Sequence, residues 1–285
     1  MKILITGSNG QLGNEIRVLA EEYPGFDFIY TDIDELDITD PLKVDAFFKS
    51  NQPRAVINCA AYTSVDKTES DETKAHLINA AAVENLSRSA AKTGALIVHI
   101  STDYVFDGIA HLPYNETDAT SPQSAYGRTK LAGEEAVRQF ATKGIIFRTS
   151  WLYSAFGNNF VKTMIKYGKE RDELKVVFDQ VGTPTYARDL AKAILDIIPL
   201  ALQKQGTELF HYSNEGVASW YDFAQTVMAV CGINCEIKPI LTREYPLPAQ
   251  RPCFSVLNKS KIKETYKIRI PYWSDSVKHC IHRLE

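Results

Sequence analysis

The sequence predicts an α/β fold with a doubly wound parallel sheet, and three observations carry that prediction. The first is an apolar run at 3–6 that breaks into glycines at Gly7, Gly10 and Gly13. The second is a repeated alternation of short apolar runs with longer helical patterns. The third is the absence of any internal repeat, low-complexity tract or flexible linker across 285 residues, so one large domain with a smaller lobe accounts for the chain.

Taken in order, the first run has the length and composition of a buried strand. The glycines after it, with Asn9, Gln11 and Leu12 between them, fit a tight turn into a helix whose amides and dipole face a pyrophosphate. Further strand-like runs lie at 28–31, 55–58, 96–100, 145–148, 175–178 and 209–212, and helical patterns at 11–22, 41–49, 73–93, 125–142, 160–167 and 187–202. Such alternation implies right-handed crossovers, with ligands bound beyond the carboxyl ends of the strands. Beyond about residue 150 the alternation loosens and prolines and aromatics increase; 220–231 and 273–284 read as amphipathic helices. Residues 1–150 are therefore expected to form a dinucleotide-binding core, and 151–285 mainly a substrate lobe interleaved with the core sheet.

Composition narrows the function. A net charge of −3 supplies no broad basic field for nucleic acid or an anionic membrane. No apolar stretch reaches a membrane span, and the N-terminus reads as strand rather than export signal. The five cysteines form no CxxC pair and read as reduced thiols of a cytoplasmic protein. No histidine or cysteine spacing suggests a metal.

The strand ends supply candidate residues. Asp32, about twenty residues past the glycines, can accept hydrogen bonds from an adenosine ribose and repel a 2′-phosphate; Asp34, Glu35 and Asp37 nearby leave a surface-loop reading equally open. After the third strand, Ala60, Ala61 and Tyr62 follow Asn58-Cys59, small residues that let a cofactor approach the backbone. About 110 residues past the glycines stands Tyr126-Gly-Arg-Thr-Lys130, whose tyrosine and lysine share one helical face.

Together the glycine turn and the Tyr126/Lys130 pair resemble the short-chain dehydrogenase/reductase superfamily, in its extended branch, and imply a Rossmann-type core. Within that resemblance Thr102, after the fourth strand, is the third catalytic hydroxyl, preferred over Ser101. Asp37-Ile38 resembles the dipeptide along the adenine, and Asn79 the superfamily's structural asparagine at the cofactor site. A tyrosine with pKa near 10 cycles slowly at pH 7, so a lysine ammonium one turn away is expected to lower it and to hold the nicotinamide ribose.

Seven further segments are similar to the dTDP-4-dehydrorhamnose reductase family over nearly the whole chain: Val65-Asp-Lys-Thr-Glu69, Ser101-Thr-Asp-Tyr-Val-Phe106, Asn115-Glu-Thr-Asp118, Tyr126 to Glu134, Phe147 to Tyr153, Asn158-Asn-Phe160 and Gly182-Thr-Pro-Thr185. The resemblance implies reduction of the C4 ketone of dTDP-4-dehydro-L-rhamnose by NADPH or NADH, with Asp32 favouring NADH. It places Val65, Thr102, Tyr126 and Trp151 at the sugar, and Asn159 and Arg251 at the nucleotide diphosphate. Some members are described as dimers bridged by magnesium. Here Glu15 stands at one matching position, but Arg188 and Ser274 occupy the others, so the expectation is a monomer or weak homodimer without a bridging metal, Arg188 pairing with Glu15. The competing readings are a nucleotide-sugar 4-epimerase and a non-catalytic NAD(P)-binding protein like the regulatory subunit of methionine adenosyltransferase.

Overall fold

The computed structural model describes residues 1–284. The chain runs β1 (Lys2–Thr6), α1 (Gln11–Leu19), β2 (Asp27–Thr31), α2 (Pro41–Asn51), β3 (Ala55–Asn58), α3 (Val65–Thr68), α4 (Glu72–His76), α5 (Ala82–Thr93), β4 (Leu96–Thr102), α6 (Ala125–Phe140) and β5 (Lys143–Thr149). It continues through β6 (Leu152–Tyr153), α7 (Phe160–Glu170), β7 (Glu173–Val177), β8 (Val181–Gly182), β9 (Thr185–Tyr186), α8 (Ala187–Ala201) and β10 (Gly206–His211). Last come β11 (Ala218–Ser219), α9 (Trp220–Cys231), β12 (Glu236–Ile240), α10 (Ser260–Tyr266) and α11 (Trp273–His282).

The main sheet is parallel, in the order β10-β5-β4-β3-β1-β2. Its inner strands are apolar on both faces because helices cover both. Side chains alternate between the faces with period two. Ile3, Ile5, Ile57, Val98 and Phe147 enter a core shared with α1 and α8, whereas Leu4, Val56, Ile97 and Ile146 meet residues of α2, α5 and α6. All of these are buried; truncating one to alanine would cost about 2–5 kcal/mol. A second core, built on α7, α9, α11 and the β7–β12 pair, forms the lobe.

The crossovers reverse direction between β1 and β3, a switch point of the kind where such sheets bind ligands. There the two loops touch: Gly7 has φ +62°, and a side chain on it would meet the Ala60 backbone at 2.6 Å, so only glycine fits.

Two features depart from the sequence reading. The run at 175–178 forms no part of the main sheet; β7 pairs instead with β12 in the lobe. The single helix expected at 73–93 is interrupted by a π-turn at Leu77–Ala81. Within 151–285, α8, β10 and Ile262 to Ile270 pack into the first core. No helix among the described residues is long and apolar enough to cross a membrane.

Candidate active site

Three cavities meet along the carboxyl ends of the strands. One of about 390 Å³ is lined by Gly7, Asp32, Asp37 and Ile38. It shares Gly10, Ala60 and Ala61 with a cleft of about 600 Å³ holding Gln11, Leu12, Val65, Thr102, Tyr126, Lys130 and Trp151. That cleft in turn shares Tyr104 and Trp220 with a cavity of about 580 Å³ reaching Arg251. The result is one trough from Asp32 to Arg251.

At its first end, α1 begins at Gly10 with no side-chain cap, which leaves its leading amides open to an anion. Asp32 Oδ2 accepts the Asn9 amide at 3.0 Å and Oδ1 the Ile33 amide at 2.9 Å, fixing the carboxylate beside the glycine turn. Asp37 accepts the Thr39 hydroxyl at 2.6 Å, and that bond holds its carboxyl below the usual range. Gly13 is buried against the Ser8 backbone and serves the turn's packing.

One residue expected at the cofactor has other work. Asn79 is fully buried and clamps Tyr62, accepting its amide at 2.8 Å and donating to its carbonyl at 3.1 Å. With no exposed surface it cannot touch a ligand; it holds the β3 loop so that Ala60 and Ala61 line the cleft. The π-turn that carries Asn79 turns the side chain to this task, a frequent use of π-bulges. Tyr62 is correspondingly the clamped residue.

At the centre, Ser124 caps α6 by accepting the Gly127 amide at 3.1 Å, and Tyr126 and Lys130 follow one turn apart. Ser101 donates to Glu134 at 2.6 Å, so of the two hydroxyls at the end of β4 it is the one committed to the buried Glu134 network. Thr102 donates to Asp103 Oδ1 at 2.9 Å; its hydroxyl stands within hydrogen-bonding reach of the Tyr126 phenol and favours the ionised form. Burial outweighs that effect, and with the Asp103 charge it pushes the phenol above its ordinary value. The expected lowering by Lys130 is thus absent from the protein alone. Burial likewise pushes Lys130 down to about 8, against the opposing pull of Glu134, so the lysine is still mostly an ammonium at pH 7. Asp103, fully buried, is pushed up to about 6.

Glu134, one turn beyond Lys130, carries a buried network that composition and spacing do not announce. It binds Arg148 through two hydrogen bonds of 2.8 Å and Arg138 through one of 2.7 Å. Burial opposes its charge, but these partners hold its carboxyl below the ordinary value.

At the far end, Trp151 adopts φ +48° and stacks on Trp220 with ring centroids 3.7 Å apart and planes 9° from parallel. One indole face is therefore covered, and the cleft meets a wall of two indoles where the sequence suggested one. Trp220 had no sequence signal beyond its place at the start of an amphipathic helix. Asn159 has its polar atoms committed beside the trough: it caps α7 and donates to Gln11 at 3.1 Å and the Ser154 carbonyl at 2.7 Å, while its neighbour Asn158 lines the cleft. Arg251 lines the 580 Å³ cavity; its Nη2 donates to Asp66 at 2.7 Å, and its buried Nη1 has no partner.

Glu15 is wholly buried beneath this end. It accepts Ser154 at 2.6 Å and Arg283 at 2.7 Å. Arg188, the partner the sequence pointed to, does pair with Glu15, at 4.0 Å, and also bonds Glu22 at 3.1 Å, while Arg283 is the nearer cation. No group of three or more histidine, cysteine, aspartate or glutamate side chains suited to a metal occurs among the described residues.

With that geometry in view, the model of the RmlD substrate binding domain matches residues 1–285. The dTDP-4-dehydrorhamnose reductase of Escherichia coli K12 is 42% identical, covering all of this chain and 98% of the relative. A solved structure of a dTDP-4-dehydrorhamnose reductase from Clostridium acetobutylicum superposes with a TM-score of 0.95 at 48% identity, covering 100% of this chain and 99% of that one. The enzyme of the same name from Bacillus anthracis, solved in complex with NADP, gives 0.94 at 37% identity, with 99% of each chain covered.

Proposed function

The chain belongs to the dTDP-4-dehydrorhamnose reductase family, and we propose that it reduces the C4 ketone of dTDP-4-dehydro-L-rhamnose to give dTDP-L-rhamnose, using NADPH or NADH. The observation that carries this reading is the meeting of Thr102, Tyr126 and Lys130 in one cleft that continues into the glycine turn.

The residues present suit a dinucleotide: uncapped amides at α1 for the diphosphate, Asp32 at the ribose end, and the small Ala60 and Ala61 alongside. When bound, the reduced nicotinamide supplies the hydride. The chain's own residues manage the oxygen. Tyr126 orients the ketone by a hydrogen bond, joined by Thr102 once its single hydroxyl proton turns from Asp103, and Tyr126 gives its proton as negative charge develops there. Its raised affinity for the proton keeps the phenol loaded between turnovers. The Lys130 ammonium, one turn away on α6 and lining the same cleft, supplies positive charge to stabilise the phenolate left behind. Val65 and Trp151 flank the sugar, and Arg251, a guanidinium lining the adjoining cavity, is suited to a diphosphate oxygen.

We further read the protein as cytoplasmic and as a monomer or weak homodimer without a bridging metal. Five cysteines, none of them in a disulfide, support the first; the closure of Glu15 by Arg283 supports the second. The test is turnover: purified protein with dTDP-4-dehydro-L-rhamnose should consume NADPH or NADH and yield dTDP-L-rhamnose. Cofactor binding without turnover would overturn the reading.

A further inference from the structure

We propose that Trp220 is a specificity-determining residue, which with Trp151 forms an apolar wall that reads the methyl edge of a 6-deoxy sugar. The inference rests on the reading above and starts from a strained residue. Trp151 holds φ +48°, a conformation that costs a bulky residue free energy and persists only when its surroundings enforce it. The enforcement is visible. Trp220 lies flat on one face of the indole at 3.7 Å. Gly182 leaves room on another side, since a side chain there would come within 2.8 Å of the ring. The Trp151 carbonyl accepts the Thr185 amide at 3.1 Å.

Trp220 is itself anchored from the lobe. It lies within the capping box of Ser219 and Asp222, at the first helical position of α9, and its ring packs against Phe160 with centroids 4.8 Å apart. The second indole is thus a fixed surface that sets the position of the first.

Its place in the trough gives the wall its function. Trp220 and Tyr104 line both the catalytic cleft and the 580 Å³ cavity. In a hexose, C4 and the anomeric C1 lie on opposite sides of the ring. With the C4 ketone at Tyr126, the glycosyl diphosphate leads away between these two residues. Two sets of lining residues differ in chemistry. The first, Asp103, Tyr104 and Arg251, offers polar groups suited to ring hydroxyls; the second is the two indoles. Complementarity turns the hydroxyl edge to the first and C5 with its methyl to the second. A 6-hydroxyl would be pressed against the indoles without a partner, which an apolar pocket rejects by up to about a hundredfold.

The test measures kcat/KM in the oxidative direction for dTDP-L-rhamnose and for the same nucleotide sugar bearing a 6-hydroxyl, with NADPH binding followed separately. Wild type should favour the deoxysugar by about a hundredfold. Trp220→Ala, which opens the wall to water, should reduce that preference about tenfold or more while leaving NADPH affinity within a few-fold; Trp220→Phe, which keeps an aromatic face, should retain most of it. An unchanged preference in both variants, or a loss falling equally on both sugars, overturns the inference. If Trp220→Ala fails to fold, Trp220→His, which keeps a flat ring but puts polar nitrogens into the wall, decides: the preference should fall about tenfold, and a ratio identical to wild type overturns the inference. Absence of wild-type turnover on the deoxysugar would instead count against the reductase reading.

Discussion

Arg283 Nη1 lies 2.7 Å from Glu15 Oε2, closing a fully buried carboxylate with a side chain 268 residues distant in sequence. The pair joins the first helix of the core to the end of the chain. Ser154 takes the other oxygen, so the carboxylate already has a cation and a donor, and a metal dication would have to displace an arginine to reach it.

Two outcomes follow. Chelation with EDTA should leave activity and sedimentation unchanged, and added magnesium should do nothing. Arg283→Gln should lower unfolding free energy by about 2–3 kcal/mol, less than a fully enclosed pair would lose because Arg188 remains nearby and Arg283 is partly solvated. Denaturant titration reads the second; activity that depends on magnesium would refute the first.

Tyr126→Phe should reduce kcat by about 10² or more, the scale for a lost general acid, with NADPH affinity changed by no more than a few-fold. Single-turnover rates at saturating cofactor separate the two effects. Near-normal turnover would remove Tyr126 from the proton transfer.

Lys130 titrates at about 8 because burial disfavours its charge. Below that pH it is an ammonium, and above it neutral. If the ammonium is the working form, kcat/KM for the reduced cofactor should fall as pH rises through about 8. Lys130→Met should be slow throughout and lack that inflection. A wild-type profile flat to pH 10 would contradict the assignment.

Asp103, pushed up to about 6 by burial, carries the opposite sign. The fold pays for its charge fully above about pH 6, and the penalty fades as pH falls toward the unfolded value near 4. Asp103→Asn keeps the acceptor for Thr102 and removes the charge. It should gain about 1–3 kcal/mol of stability at pH 7, and progressively less between pH 6 and 4. Thermal melts across that range check it; a variant less stable at pH 7 would show that the charge is compensated.

Asp32, fixed by the Asn9 amide, should bias the enzyme toward NADH by repelling a 2′-phosphate. Asp32→Ala should raise the relative kcat/KM for NADPH about tenfold, the worth of one nearby like charge. Steady-state kinetics with both cofactors decide this, and a wild type that prefers NADPH tenfold would place the aspartate away from the ribose.

What the sequence discloses here depends on how local the cause is. The main-sheet strands, the glycine turn and the Tyr126/Lys130 spacing are short-range patterns with a fixed period, and the structure brings those residues to one trough. Asn79 and Asn159 illustrate the limit. Both are polar residues beside the site, but which of their surfaces are spoken for depends on partners 17 and 148 positions away, Tyr62 and Gln11. The same holds for β7, whose pattern reads as a strand but whose partner, β12, is chosen by the lobe's packing. Trp220 was silent for a related reason: an aromatic on an amphipathic helix has the same signature whether it fills a core or lines a passage.

The way the second core is assembled has a consequence for engineering. The backbone leaves the main sheet after β5, returns for α8 and β10, departs for α9 and β12, and comes back through α10 before ending in α11. A recombination library cut at a single junction would sever partners on both sides of the cleft, because no contiguous segment contains the lobe. Altered sugar preference in this scaffold is therefore better sought by individual replacements on the Trp151–Trp220 wall than by transplanting a block from a relative.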